Sequence, residues 1–364
     1  MDARDVLFGL HELSGIGWMT MLKLIREVEP LTRVLDMNER ELISLGLRRD
    51  QAQTIVQTLH ETFVETKRNM YNQRGIEILT IVDEHYPDLL KQTMQPPWVL
   101  YGIGQWAKLS MPSIAIVGTR TPTVYGKKVT LQLSSALAAA GLSIVSGMAR
   151  GIDGCAHEGA LSAGGSTVAV LGCPLDRIYP PEHTGLFHEI ARRGLVISEY
   201  PLGTAMKKGM FPMRNRIIAG IGLGTVVVEA AQKSGSLLTA MQAMDESRDV
   251  FAVPGPITSP KSAGVNQLLK DGTAKIVLSY EDIIEEYRRV LISGVSAHPQ
   301  PAKPSFMLTE DERQVYDYMS LDPVTVDELV GLTQFTFGHL HSVLLSLITK
   351  KLIQPVHGSA YITT

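Results

Sequence analysis

Between residues 75 and 290 the chain repeats one pattern: a short unbroken apolar run, a polar turn, then a longer stretch with helical periodicity. The runs at Ile76–Val82, Ile114–Val117, Leu142–Val145, Thr167–Leu171, Leu195–Ser198, Thr225–Glu229, Val250–Val253 and Ala274–Leu278 read as buried strands. Helical stretches such as Lys128–Ala140 and Leu237–Glu246 lie between most of them. Strands apolar on both faces, joined by crossover helices, predict an α/β fold with a Rossmann-like, doubly wound, mainly parallel sheet. In that architecture ligands sit beyond the carboxyl ends of the strands.

The flanks follow other patterns. Residues 1–70 are helical throughout, and Leu13-Ser14-Gly15-Ile16-Gly17 ahead of Thr20, Met21, Leu24 and Ile25 reads as helix, glycine turn, helix. That predicts a SAM/helix-hairpin-helix-like module, with a fainter echo at Leu45-Gly46-Leu47, Ala52 and Ile55. Glycine-turn amides in such hairpins can touch a DNA phosphate; a spacer or protein-contact module fits equally well. A proline-rich, polar linker is expected over 291–307, including Ser293-Gly294 and Pro299-Gln300-Pro301-Ala302-Lys303-Pro304. Beyond it, 308–364 reads as a winged-helix-like domain. Its helices are expected at Asp311–Ser320, Thr325–Gly331 and Thr336–Lys350, and its strands at Leu352–Val356 and Ala360–Thr363 around His357-Gly358-Ser359. The third, recognition helix carries Phe335, Phe337, His339 and His341 but few bases before Lys350-Lys351. Phosphate contact needs Lys or Arg, so protein contact and weak DNA binding both stay open.

Composition narrows the class. The chain has 364 residues, 45% hydrophobic and 20% charged, enough for a sizeable core in two or three domains. No run approaches the ~18 apolar residues of a membrane span, and Met1-Asp2-Ala3-Arg4-Asp5 lacks the start of an export signal. Two cysteines, Cys155 and Cys173, fit a reducing cytoplasm better than a disulfide framework. The formal net charge is -3, yet residues 111–220 hold eleven Lys and Arg against six acids. That local excess of positive charge suits a polyanion.

The candidate chemistry lies at the strand ends. Ile116-Val117-Gly118-Thr119-Arg120 turns off a strand through a glycine into Thr121-Pro122-Thr123-Val124-Tyr125-Gly126 and a helix start, the makings of a phosphate cradle. Seven residues separate Gly118 from Gly126, where a P-loop has four, and Lys127 precedes Lys128 rather than Ser or Thr. No G-x-G-x-x-G follows this strand, and Gly220-Ile221-Gly222-Leu223-Gly224 precedes one. ATPase and dehydrogenase readings therefore lose ground.

Five further polar clusters follow the pattern: Ser146-Gly147 through Arg150 and Asp153, Gly172 through Arg177, Tyr179 and His183, Ser198-Glu199-Tyr200-Pro201, Phe211-Pro212 through Arg214 and Arg216, and Glu229 through Lys233-Ser234-Gly235-Ser236. Asp153 and His157, four apart on one helix face, permit a base with its orienter or part of a metal site, but no third ligand follows at suitable spacing. No metal or cofactor is expected. Neither cysteine has an activating neighbour. Arg120, Arg150, Arg177, Arg214, Arg216 and Lys233, with Tyr125, Tyr179 and Phe211 as flat faces, make a set that grips single strands by phosphate and base stacking. Arg214 or Arg216 pairing with Glu199 or Glu229 is the competing use of those charges.

Six ordered motifs carry a resemblance: Gly118-Thr119-Arg120 through Tyr125-Gly126, Ser146-Gly147 through Asp153 and His157, Tyr179-Pro180, Glu199-Tyr200-Pro201, Phe211-Pro212 with Arg214-Asn215-Arg216, and Glu229 through Ser236. Over about residues 75–290 they resemble the DNA-processing protein A (DprA/Smf) family, and the terminal modules resemble its accessory domains. One departure is Gly220-Ile221-Gly222, where the family more usually has Gly followed by Leu and Ser. The resemblance implies a cytoplasmic, homodimeric, non-enzymatic protein. It would bind incoming single-stranded DNA during natural transformation, displace or bypass single-strand-binding protein, and load the RecA recombinase. It implies Arg120 as the principal phosphate contact, with Gly118, Thr119, Ser146, Gly147, Arg214, Arg216, Lys233, Ser234 and Gly235 around it and Arg177 in support. The residues leave a second class open: a Rossmann-like nucleotide or nucleoside-monophosphate hydrolase using Glu229 ahead of the Ser-Gly-Ser loop.

Overall fold

Capping chemistry sets the first helices. Asp2 accepts from the Asp5 N–H while the Asp5 carboxylate accepts from the Asp2 N–H, so α1 (Ala3–Glu12) starts on a capping box. It leads to α2 (Trp18–Glu27), α3 (Glu39–Ser44), α4 (Arg49–Thr58) and α5 (Glu61–Asn72). Both hairpin turns need a left-handed residue, and glycine supplies it: Gly15 at φ 83° and Gly46 at φ 85°. The computed structural model describes residues 1–294, 309–319, 324–333, 335–350, 353–356 and 360–363, in two compact units that divide at residue 295.

In the first unit the helices pack onto a nine-stranded sheet. Its strands are β1 (Glu77–Thr80), β2 (Val99–Gly104), β3 (Ser113–Val117), β4 (Ser143–Ser146), β5 (Thr167–Leu171), β6 (Leu195–Ser198), β7 (Gly224–Val227), β8 (Asp249–Ala252) and β9 (Lys275–Ile276). Their order is β1-β2-β6-β5-β4-β3-β7-β8-β9. Pairs β1–β2 and β2–β6 are antiparallel and all others parallel. The mainly parallel, doubly wound sheet thus stands as its apolar runs predict.

Strand β2 was not among the expected strands, and it is the member common to both antiparallel pairings. Gly102 and Gly104 interrupt its apolar run, and Gly102 is bare because the Trp106 indole lies over it. The first and last expected strands are also shorter than their apolar runs.

The intervening helices are α6 (Asp88–Lys91), α7 (Val124–Ala139), α8 (Ile152–Ser162), α9 (Thr184–Arg193), α10 (Met210–Ile221), α11 (Gly235–Asp245), α12 (Ala263–Lys270) and α13 (Glu281–Gly294). Alternation along β3 assigns them to faces. Ile114 and Ile116 share a core with Leu133, Leu137, Ile152 and Ala156 of α7 and α8. Ala115 and Val117 share another with Ile217, Ile218 and Ala240 of α10 and α11. The N-terminal helices join the sheet directly: Tyr71 stacks on Tyr101 at 4.7 Å, Trp18 stacks on Trp98, and the Arg4 guanidinium donates to Asp83 and the Ile78 carbonyl.

The second unit contains α14 (Glu310–Asp317), α15 (Val326–Thr333) and α16 (Phe337–Thr349), with β10 (Val324–Thr325), β11 (Ile353–Val356) and β12 (Ala360–Thr363) paired antiparallel in the order β10-β12-β11. This is a winged helix. Lys350 is used internally, donating to Glu312 at 2.6 Å and so tying the end of α16 to α14. Helix α13 runs to Gly294, and the remainder of the expected linker lies outside the described residues, as do Ser320, Lys351, Leu352 and the His357–Ser359 turn. Among the described residues no helix is long and apolar enough to cross a membrane.

Candidate nucleic-acid interface

From β3 the chain winds one way through β4, β5 and β6 and the other way through β7, β8 and β9. The switch point therefore lies between β3 and β7, where a doubly wound sheet opens a crevice. A cavity of about 410 Å³ occupies it, within the range of small-molecule pockets. Gly118, Thr119 and Arg120 line it from the loop after β3, Lys233, Ser234 and Gly235 from the loop after β7 and the start of α11, and buried Asp153 and Arg214 with half-buried Phe211 and Asn215 make its inner side.

Each wall has a local cause. Gly118 is bare because a Cβ would press into Ile152 at 2.6 Å. The Thr119 N–H donates to the Glu229 carbonyl at 2.7 Å, which joins the two loops across the switch point. Ser234 caps α11 by accepting from the Ser236 N–H, and the first residues of that helix, Gly235 and Ser236, line the cavity. Arg120 and Lys233 are exposed, and neither forms an ion pair among the described residues. Two unpaired cations beside a helix N-terminus favour a bound anion.

The structure separates the expected site residues. Gly118, Thr119, Arg120, Arg214, Lys233, Ser234 and Gly235 share the cavity, whereas Tyr125, Ser146, Gly147, Arg150, Arg177 and Arg216 lie outside its lining. Ser146 is fully buried, its hydroxyl donating to the Ile116 carbonyl at 2.6 Å. Gly147 is bare because the Arg214 guanidinium lies against it. Tyr125 donates to the Pro254 carbonyl at 2.9 Å. Arg150 pairs with Glu182, Nη2 to Oε2 at 3.0 Å. Arg177 is exposed in the loop after β5.

The two arginines of α10 part company because positions two apart on a helix point to opposite sides. Arg214 turns inward, 4% exposed, and donates to the carbonyls of Gly147 and Val170, so it is a wall of the cavity more than a free charge. Arg216 turns the other way and pairs with Glu199, the competing use foreseen for it, while also donating to the Gln95 carbonyl at 2.5 Å.

The expected aromatic faces divide too: Phe211 lines the cavity, Tyr179 packs against it at 5.3 Å between centroids, and Tyr125 is elsewhere. Asn215, Ser236 and Thr239 also line the cavity without having been singled out for this role. The signal for Asn215 was present, since it sits between the two motif arginines.

Asp153 and His157 do not act together. Asp153 faces the cavity, where burial pushes its carboxyl above the usual carboxylate range against the pull of Arg214. His157 faces the sheet, fully buried. The Thr167 hydroxyl donates to the Ile144 carbonyl at 2.7 Å, so His157 Nδ1–H must donate to Thr167 Oγ1, leaving Nε2 bare. Burial holds this imidazole down at about 3, a neutral core residue. Glu229, the acid of the hydrolase reading, is 2% exposed and accepts from both the N–H and the hydroxyl of Thr123. Among the described residues no cluster of His, Cys, Asp and Glu has metal-binding geometry.

A family model described as DNA recombination-mediator protein A matches residues 77–288, and the DprA winged helix domain matches 297–359. The chain is 33% identical over 323 residues to Protein Smf of Synechocystis, covering 80% of this chain and 81% of that protein. It is 43% identical over 217 residues to the DNA processing protein DprA of Bacillus subtilis, covering 59% and 73%. The crystal structure of DNA processing protein A from Streptococcus pneumoniae superposes with a TM-score of 0.70 at 33% identity, over 79% of this chain and 99% of that one. A Helicobacter pylori DprA structure, described for its single-stranded DNA binding mode, gives 0.54 at 34% identity, covering 59% and 96%.

Proposed function

The chain belongs to the DNA-processing protein A (DprA/Smf) family, and from that premise we propose that it binds single-stranded DNA at the switch-point cavity and acts as a mediator of recombination. The observation that carries this reading is the pair of cations without an ion pair among the described residues, Arg120 and Lys233, lining from two different loops a cavity that also holds Phe211. Cations take phosphates and an aromatic face takes a base, which is how single strands are gripped. Arg120 is the anchor, and Arg214 shapes the wall behind it. The engagement of Glu229 by Thr123 supports binding over hydrolysis.

Family membership extends the proposal to the partners: a RecA-type recombinase loaded onto strands coated by single-strand-binding protein, during natural transformation, by a cytoplasmic homodimer. Fluorescence anisotropy tests the core of it. Oligothymidine should bind in preference to a duplex of equal length, and Arg120→Ala should weaken that binding about tenfold or more. Equal affinity of the variant would overturn the site. Faster RecA filament formation on coated strands is the expected result for loading; no change would remove that part alone.

A further inference from the structure

One residue in the cavity is out of place in a pocket for phosphate alone. Asp153, 6% exposed, presents a carboxylate to a space otherwise rimmed by cations. A carboxylate repels a phosphate and accepts N–H donors. The cavity accordingly has two chemically different parts. The rim, with Arg120, Lys233 and the start of α11, suits an anion. The inner side, with Asp153, Asn215 and Phe211, suits a flat polar ring.

The inner groups are held in place. Asp153 Oδ2 accepts from the Ala149 N–H at 3.4 Å, from the loop after β4. Asn215 is oriented from both ends: its Oδ1 accepts from Arg214 Nε at 3.2 Å and its Nδ2 donates to the Gly235 carbonyl at 3.4 Å. Nδ2 carries a second N–H for a ligand acceptor. Phe211 is kept close to the sheet end by bare Gly172, where a Cβ would meet its ring at 2.7 Å.

Resting on the single-strand reading of this cavity, in which Phe211 takes a base, we propose that the base seated there is by preference guanine, read by Asp153 and Asn215. Guanine alone offers two N–H donors side by side, N1–H and N2–H₂, which match the two oxygens of one carboxylate. Its O6, next along the same edge, accepts from an amide such as Asn215. Thymine has one imide N–H between two carbonyl oxygens that the carboxylate repels. In adenine and cytosine the amine lies beside a bare ring nitrogen. A site built for paired donors disfavours a base that lacks one, because the acceptor is then left unpaired. Binding would be tolerant of sequence along the strand and selective at this nucleotide.

The test compares three single strands of about 20 nucleotides, a length that spans several binding registers: oligothymidine, alternating thymidine–deoxyguanosine, and alternating thymidine–deoxyinosine. Lithium buffer prevents quadruplexes. Inosine keeps N1–H and O6 and lacks only the N2 amine. The unaltered chain should bind the guanine strand about tenfold more tightly than the inosine strand, the size of one lost donor to a charged acceptor. In Asp153→Asn that ratio should fall to within about twofold. Equal binding of the guanine and inosine strands by the unaltered chain overturns the proposal, whether or not the variant folds. No binding of any strand, oligothymidine included, overturns the single-strand reading itself.

Discussion

Thr123 and Glu229, 106 residues apart in sequence, are joined at two points: the Thr123 N–H donates to Oε2 at 2.9 Å and its hydroxyl to Oε1 at 2.5 Å. The same hydroxyl oxygen accepts from the Gly126 N–H at 3.1 Å and so caps α7. Bare Gly126 gives the carboxylate its room. The loop bearing Arg120 is thereby clamped to the loop bearing Lys233. Thr123→Val removes the cap and one arm of the clamp, and should cost about 1–2 kcal/mol in urea unfolding. Thr123→Ser should stay near the parent. Equal stability of the valine variant would dismiss the clamp.

Salt dependence separates cations that touch the strand from those that sit nearby. Lys233→Gln should make the slope of log affinity against log salt shallower by about 0.7, the value for one phosphate contact on a single strand. Arg177, exposed but outside the cavity lining, is the control, and Arg177→Gln should leave that slope close to the parent's. Anisotropy titrations across a salt series read both.

Arg216 and Glu199 form a largely buried pair, their side chains 11% and 12% exposed. Burial pushes the Glu199 carboxyl up even with Arg216 beside it, so desolvation outweighs the attraction there. Removing one partner strands the other charge, and Arg216→Ala should lose about 3–5 kcal/mol of stability. The double replacement Glu199→Leu with Arg216→Met should recover much of it. Denaturant midpoints decide the matter, and an unaffected single variant would contradict it.

His157 predicts a pH dependence. Burial, followed by the His183 and Arg214 charges, lowers its folded value from 6.5 to about 3. Between those values the unfolded chain binds a proton that the folded chain refuses. Stability therefore rises with pH across that window and is lost as pH falls from 6.5 toward 3, by up to about 1.4 kcal/mol per pH unit. Below about 3 this contribution no longer changes. In His157→Gln the slope between pH 6.5 and 5 should be shallower by up to one proton. Unfolding curves at several pH values test it, and identical slopes would exclude the role.

Much of the sheet was legible because its central strands are buried on both faces. Thr167–Leu171 and Leu195–Ser198 appear in the structure with the bounds their apolar runs predict. Strand β2 was hidden by Gly102 and Gly104, whose cause is the Trp106 ring and the close backbone of Ala191 and Gly194, neither visible as a local pattern. Helix α10 was hidden as well. Phe211-Pro212 through Arg216 stands in the sequence as a polar cluster, and packing onto β3 and β5 makes it a helix whose two arginines diverge.

By itself the sequence determined the kinds of residue at the strand ends, the mainly parallel sheet and the winged helix, because periodicity and turn chemistry are local. Tertiary structure alone decided which charges are free. Arg120 and Arg150 look alike along the chain, but Glu182 lies within reach of one and no carboxylate pairs with the other among the described residues. Ion pairing and burial depend on distance in space, to which order along the chain is blind. The same folding placed Asp153 at the inner side of a cationic cavity and turned His157, four residues on, into the core.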